Sequence, residues 1–180
     1  MINFSNIILW RHAEAEVADF ELGEDDMSRM LTSKGERQAK RMARWLKLYI
    51  PKETMLLSSP AERAMQTAEA LNYKIEISKV LRPSANLKEI LDFLASLEES
   101  IKDAPNKSLL IVGHQPWLGQ LAKYLTGFSG AELTIKKGAI WWLRQSLYET
   151  ILQTAQLKPT QASPARYSVI SVQAPSLLPK

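Results

Sequence analysis

The chain has 180 residues, of which 46% are apolar and 23% charged, and this balance predicts one soluble globular domain rather than a disordered chain. It contains no cysteine, which excludes disulfides, cysteine-rich zinc sites and enzymes with a thiolate nucleophile. Lys and Arg number 23 against 19 Asp and Glu, and the resulting net charge of +4 favours anionic partners without by itself indicating nucleic acid.

Nothing in the sequence predicts a membrane segment or a targeting signal. No stretch is long and apolar enough to span a bilayer, so no membrane partner is expected. Residues 1–6 lack a basic segment followed by an apolar one, which argues against a secretory signal. We therefore expect a cytoplasmic protein.

Short apolar runs predict the strands. Residues 7–10 form a continuous apolar run that stops at a polar pair, which is typical of a strand buried on both faces. The full set of predicted strands, including two short ones and a strand-like C-terminal segment, is 7–10, 55–57, 74–77, 109–112, 139–143, 150–152 and 167–172.

Helix start and stop signals lie between these strands. The first two helices are predicted to begin with Ser33 and Ser59 as N-caps, each followed three positions later by a glutamate. Asn86 is placed to cap the third helix, and the fourth opens at Pro116 and ends at Gly127. The alternation of strands and helices predicts an α/β fold with a largely parallel sheet.

A change of composition suggests where the domain ends. Residues 154–166 are rich in Thr, Gln, Ala, Ser and Pro and are predicted to form a loop. We expect a catalytic domain over residues 1–159 and a C-terminal extension over residues 160–180 that contains this loop's end and a short strand.

Polar residues follow three of the predicted strands. Arg11 and His12 follow the first, His114 follows the strand at 109–112, and Arg63 lies in the first turn of the second helix. Ligands of open α/β sheets bind at the carboxyl ends of the strands, and an arginine in a first helical turn leans back toward that edge. Each signal alone is typical of a surface turn, but both histidines of the chain at strand ends indicate a functional site.

Histidines and arginines without cysteine favour phosphoryl chemistry. A neutral imidazole is a competent nucleophile toward phosphorus, and guanidinium groups bind phosphate oxygens in pairs and keep the ring neutral. A metal fits poorly because the two histidines are far apart in sequence, and the acidic run 24–26 is expected to be a solvated loop. ATP-binding, dinucleotide and hydrolase-elbow motifs are absent, so neither a metal nor an organic cofactor is expected.

Four ordered motifs carry a resemblance that covers residues from about 7 to 159. They are LWRHAE at 9–14, RMLTSKG at 29–35, SSPAERAMQT at 58–67 and VGHQP at 112–116. Together they resemble the histidine phosphatase superfamily and, within it, the small SixA-type phosphohistidine phosphatases. The resemblance implies a three-layer α/β/α form without the helical cap insertion of larger members.

The same resemblance implies a role for each site residue. His12 would be the nucleophile that becomes phosphorylated, and Arg11 and Arg63 would bind the phosphoryl oxygens. His114 would stabilise the charge that develops on the transferred group, and Arg29 would be a further pocket residue.

Two departures from the family pattern bear on the substrate. Ala13 replaces the usual glycine after the histidine. The carboxylate with which phosphomonoesterases of the family protonate the leaving oxygen has no clear counterpart, and Glu14, Glu16 and Glu89 are the substitutes to consider. A missing acid favours phosphohistidine, which leaves as imidazole and needs a dedicated donor less than an alkoxide does.

The sequence therefore predicts a phosphatase for phosphohistidine on a partner protein of the histidine-phosphotransfer type. One alternative is a small-molecule phosphomonoesterase or phosphoamidase on the same fold, acting on a small phosphorylated substrate. Another is a phosphate-binding module without catalysis. A nucleic-acid partner is not expected, because basic residues such as Lys40, Arg41, Arg44 and Lys47 are most simply solvating a helix face.

Overall fold

The structure is a computed structural model that describes residues 2, 4–18, 25–101, 107–146 and 167–179. Over these residues it contains one six-stranded sheet and four α-helices. In chain order the elements are β1 (Asn6–Arg11), α1 (Ser33–Tyr49), β2 (Thr54–Ser58), α2 (Glu62–Glu69), β3 (Ile75–Ile77), α3 (Leu87–Ser100), β4 (Ser108–Gly113), α4 (Trp117–Thr126), β5 (Ile140–Gln145) and β6 (Tyr167–Gln173), with short 3-10 turns at Asp26–Ser28 and Lys79–Leu81.

The strand order is β3-β2-β4-β1-β5-β6. Strands β3, β2, β4 and β1 are parallel neighbours, whereas β5 is antiparallel to β1 and β6 is antiparallel to β5. The prediction of a largely parallel sheet is therefore confirmed. Because β1, β2 and β4 run in the same direction side by side, their carboxyl ends meet at one edge of the sheet.

Two hydrophobic clusters cover the two faces of the sheet and make the three-layer architecture that the resemblance implied. Ile7 and Leu9 of β1 point into the cluster formed with α3 and α4. Ile8 and Trp10 point into the cluster formed with α1 and α2. All four side chains are fully buried, as expected for a parallel strand covered by helices on both sides.

Two of the predicted helix ends are confirmed in detail. Asn86 caps α3 in a full capping box, accepting from the Glu89 N–H while the Glu89 carboxylate accepts from the Asn86 N–H. Helix α4 ends before Gly127, whose φ of 64° is the left-handed conformation that glycine adopts readily.

The predicted N-caps of α1 and α2 are wrong. The cap of α1 is Thr32, whose hydroxyl accepts from the Gly35 N–H, because two adjacent hydroxyl residues both suit the position. Helix α2 begins at Glu62 after Ala61, without any side-chain cap. The Ser59 hydroxyl lies before this helix, and it is used in the site described below.

The C-terminal strand belongs to the same sheet. The hydroxyl of buried Tyr167 accepts from the Phe4 N–H and donates to the Phe4 carbonyl, which fixes β6 beside the N-terminus. The predicted strand at 150–152, the predicted loop at 154–166 and the boundary at 159 lie outside the described residues, and the division into two parts stays a prediction. No helix in the described ranges is long and apolar enough to cross a membrane.

Candidate active site

Both histidines lie where the central strands end. Arg11 is paired in register with Gly113, so His12 and His114 follow neighbouring positions at the carboxyl ends of β1 and β4. The His12 N–H donates to the Gly113 carbonyl at 3.1 Å, which holds the two segments together. The imidazole centroids are 5.1 Å apart, and both side chains are buried. The predicted convergence of the two histidines is confirmed.

A backbone carbonyl beside His12 determines which nitrogen of its ring carries the proton. Its Nδ1 lies 2.8 Å from the Ala13 carbonyl, and since a carbonyl can only accept, Nδ1 carries the proton and Nε2 carries the free lone pair. Ala13 is buried, and its N–H donates to the Thr67 hydroxyl. Its φ is not positive, because Asn72 is the one described non-glycine residue in that region. Alanine in place of glycine therefore fits this turn without strain.

Both imidazoles are neutral at physiological pH. Burial, reinforced by the charges of Arg63, Arg11 and Lys137, lowers the pKa of His12 to about 3, although the bond to Ala13 opposes the shift. Burial and the neighbouring His12 and arginine charges lower the pKa of His114 to about 2. A neutral His12 with Nε2 unprotonated is the form that can act as a nucleophile.

Ser59 fixes the orientation of His114. Its hydroxyl oxygen lies 2.8 Å from His114 Nε2 and also accepts from the Ala61 N–H at 3.2 Å. The hydroxyl hydrogen is then free to be donated to Nε2, which leaves the imidazole proton on Nδ1. This Nδ1 is buried and has no hydrogen-bond partner among the described residues. His114 thus presents one unused donor.

The two core arginines also present unused donors. Arg11 donates from Nη1 to the Ile135 carbonyl at 2.7 Å, and Arg63 donates from Nη1 and Nη2 to Asp26. The Nε–H groups of both arginines are buried without a partner in the described part of the chain. Together with His114 Nδ1 they make three buried donors in one small region, and an oxyanion such as a phosphoryl group satisfies donors of this kind.

Like Ser59, Asp26 belongs to the site although the sequence did not predict it there, because the run 24–26 was expected to be a solvated loop. Its carboxylate bridges two arginines: Oδ2 lies 2.9 Å from Arg63 Nη2, and Oδ1 lies 2.7 Å from Arg29 Nη2. Burial raises the pKa of Asp26, but the hydrogen bonds and charges of Arg63 and Arg29 outweigh it, and the net shift is downward. The only local signal was the spacing of three between Asp26 and Arg29.

Arg29 lies close to the site in the structure. Besides its pair with Asp26, it donates from Nη1 to the Glu16 carbonyl at 2.9 Å, and its charge contributes to the lowered pKa of His114. The loop that carries Asp26 and Arg29 is thereby joined to α2 through Arg63.

Two of the candidate acids are engaged elsewhere. Glu14 pairs with Lys34 at 2.7 Å, and this bond lowers its pKa. Glu89 pairs with Arg82 at 2.9 Å, which together with its capping bond lowers its pKa. Ionised, paired carboxylates are poor proton donors. Over the described ranges, no three His, Asp or Glu side chains are grouped so as to hold a metal ion.

Comparisons with known proteins identify a matching family and two related sequences. The family described as "Histidine phosphatase superfamily (branch 1)" matches residues 7–91. A Haemophilus influenzae protein named phosphohistidine phosphatase SixA homolog is 34% identical over 135 residues, which are 68% of this chain and 77% of that protein. An uncharacterized protein from Picosynechococcus sp. is 34% identical over 145 residues, or 77% of this chain and 84% of its own.

Solved structures share the fold at lower identity. The protein histidine phosphatase SixA complexed with tungstate superposes with a TM-score of 0.72 at 20% identity, covering 96% of this chain and 98% of that one. A mycobacterial glucosyl-3-phosphoglycerate phosphatase superposes with a TM-score of 0.63 at 15% identity, covering 92% and 97%.

Proposed function

Because the chain belongs to the histidine phosphatase superfamily, we propose that it removes the phosphoryl group from phosphohistidine on a partner protein, through a covalent intermediate on His12. The observation that carries this proposal is the pair of neutral imidazoles 5.1 Å apart, surrounded by buried arginine and histidine donors without partners in the described residues.

In the first step His12 Nε2 attacks the phosphorus atom. The lone pair is available because Nδ1 holds its proton on the Ala13 carbonyl, and the low pKa keeps the ring neutral. A new N–P bond forms as the P–N bond to the substrate imidazole breaks. The Nε–H groups of Arg11 and Arg63 and the Nδ1–H of His114 bind the phosphoryl oxygens on which charge develops.

The leaving group explains why a dedicated acid is unnecessary. A phosphohistidine ring protonated at its other nitrogen takes the electron pair of the breaking P–N bond and departs as neutral imidazole. An alkoxide would have to be protonated as it leaves. Glu14 and Glu89 are ion-paired in this protein, which supports the phosphoramidate substrate.

In the second step water attacks the phosphorus atom of phosphorylated His12. The N–P bond breaks, His12 recovers its lone pair, and inorganic phosphate leaves with the oxygen of water. The sum of both steps is hydrolysis of phosphohistidine to histidine and phosphate. The same donors bind the phosphoryl oxygens in both steps, so the reaction requires no further residue.

A partner protein is favoured over a small metabolite by the size of the fold. The described segment between α2 and β4 contains only β3, a 3-10 turn and α3, which leaves no insertion to cover a small substrate. The Haemophilus influenzae relative is named as a phosphohistidine phosphatase homolog, and this name supports the same substrate class.

A small-molecule phosphomonoesterase is the second candidate. The structural likeness to a glucosyl-3-phosphoglycerate phosphatase is the observation that favours it. It requires a proton donor for an alkoxide leaving group, and Glu16 remains the exposed glutamate to consider.

A substrate panel distinguishes these functions. We expect a phosphohistidine peptide and phosphoramidate to be hydrolysed well, p-nitrophenyl phosphate less well, and a phosphoserine peptide very poorly. General acid catalysis is commonly worth about 10²–10⁴-fold, so kcat/KM should fall by several orders of magnitude across the panel. Equal rates on phosphoserine would favour the phosphomonoesterase, and turnover of none would favour a binding module. Chelators should leave all rates unchanged.

A further inference from the structure

A basic groove runs beside the active site, and the catalytic steps above do not use it. It encloses about 260 Å³ between α1 and the C-terminal segment. The described residues that line the groove are Lys34, Arg37, Gln38, Arg41, Pro175 and Ser176, and none of these is acidic. The α1 residues recur at spacings of three and four and therefore share one face of the helix.

The positive charge of this groove is only partly neutralised. Lys34 pairs with Glu14 but keeps 64% of its side chain exposed. Arg41 donates to the Pro175 carbonyl, and no described carboxylate compensates its charge. Arg37 is exposed and forms no ion pair with any residue that the structure describes. Among the residues that the structure describes, the groove thus offers three cations against one carboxylate at its rim.

The groove is joined directly to the segment that follows the nucleophile. The Glu14 N–H donates to the Gln38 side chain at 3.0 Å. Gly138 donates its N–H to the carbonyls of Arg11 and His12, and it packs so closely on the C-terminal segment that a Cβ there would lie 2.9 Å from Pro175. Its φ of 75° also favours glycine.

Lys137 extends the positive charge to the mouth of the active site. Its side chain is exposed, and its charge is near enough to His12 to contribute to the lowered pKa of that ring. The charge of Lys137 also acts on Glu14, which pairs with Lys34 at the rim of the groove. A protein whose phosphohistidine enters the site therefore brings its neighbouring residues close to Lys137 and the groove.

We propose that this groove binds acidic side chains of the phosphorylated protein that flank its phosphohistidine. This inference rests on the proposed function and adds the chemistry of the partner surface. Aspartate and glutamate complement Lys34, Arg37 and Arg41, and charge complementarity of this kind raises the rate of productive encounter. A small phosphoramidate does not reach the groove and is indifferent to it.

Two phosphohistidine peptides of equal length test the inference, one with Asp and Glu on both sides of the phosphohistidine and one with Gln and Ser. For the wild-type protein we expect kcat/KM to be roughly tenfold higher for the acidic peptide at low salt, since exposed ion pairs contribute modestly and act together. The preference should disappear near 1 M salt, where charges are screened within about 3 Å.

The variant Arg37→Glu should abolish the preference while phosphoramidate is hydrolysed at the wild-type rate. Lys47→Glu is the matched control, because it makes the same charge change on an exposed residue of α1 roughly 15 Å further along the helix. It should keep the preference. If the wild-type protein hydrolyses both peptides at the same rate, or if both variants lose the preference equally, the proposed role of the groove is wrong. Phosphoramidate turnover in the same experiment would still support the proposed phosphatase activity. Failure of the wild-type protein to hydrolyse phosphoramidate would overturn both.

Discussion

The candidate active site has two halves that are held in different ways. The sheet half consists of His12, His114 and Arg63, which are 5%, 2% and 2% exposed and lie at strand ends or in the first turn of α2. The loop half consists of Asp26 and Arg29, whose side chains are 35% and 22% exposed. The sheet half is fixed by strand pairing and burial. The loop half is fixed by the ion pair between Asp26 and Arg63 and by the ion pair between Asp26 and Arg29.

This difference in how the two halves are held predicts that they have different roles in the reaction. The groups that form and break bonds should belong to the rigid half, where donors cost no reorganisation during the reaction. The loop half orients Arg63 and sets the local charge, so changes there should be milder. Substitutions in the two halves should therefore differ in size by orders of magnitude.

The largest effect is expected for His12→Ala, which removes the proposed nucleophile. Turnover of phosphoramidate should fall by roughly 10⁴–10⁶, since the covalent route is lost while the binding donors remain. Initial rates over a wide range of enzyme concentration measure this, with thermal unfolding as the control for folding. Residual turnover above a hundredth of the wild-type rate in a folded variant would refute the assignment.

Arg63→Lys should have the next largest effect although the charge is kept. A lysine cannot donate from Nε and from both Nη groups as the guanidinium does, and the loss of one preorganised donor costs about 10²–10³ in kcat. The same change at exposed Arg44 of α1 is the control and should leave kcat unchanged. A drop of less than tenfold in Arg63→Lys would place Arg63 outside the reaction.

Asp26→Asn tests the loop half and should be milder. A hydrogen bond to a charged group is worth about 1.5–3 kcal/mol, so a misplaced Arg63 should lower kcat by roughly tenfold to a hundredfold. KM should not rise, because a negative charge beside the phosphoryl pocket is removed. Asp92→Asn, which breaks an exposed pair with Lys88 on α3, is the matched control. An unchanged kcat would mean that the loop half does not orient Arg63.

The smallest change is expected on titration of the two histidines between pH 8 and pH 5. Their pKa values in the folded protein lie well below the ordinary 6.5, so the rings should stay neutral and their Cε1–H signals should not shift. In urea both should titrate near pH 6.5. The unfolded chain then binds protons that the folded chain does not, so stability is full above pH 6.5 and decreases as the pH falls below it. A native signal that titrates near 6.5 would contradict the burial argument.

The sheet half could be predicted from the sequence because its causes are local. Apolar runs ended by polar residues mark strands, and the carboxyl ends of parallel strands meet at one edge. His12 and His114 follow from those two rules, and Arg63 follows from its place in the first turn of α2, from which its side chain leans back toward the same edge. The apolar run of β1 also predicted its burial on both faces, and the structure places β1 and β4 in the middle of the sheet.

Asp26 and Ser59 could not be predicted in this way because their partners are distant in sequence, and Arg29 was indicated only by the family resemblance. Asp26 bonds Arg63 across 37 positions, and no periodicity links them. The local sequence pattern predicted Ser59 as an N-cap. In the structure its hydroxyl instead contacts His114, which is 55 positions away, and a contact between residues so distant in sequence has no local signal.

Trapping the phosphorylated protein tests the central claim most directly. Wild-type protein mixed rapidly with radiolabelled phosphoramidate and quenched in alkali should carry about one phosphate per chain, labile to acid and stable to base, and mass spectrometry should locate it on His12. His114→Asn should still accept label, more slowly, whereas His12→Asn should accept none. Label on His114, or turnover without any labelled protein, would contradict the account.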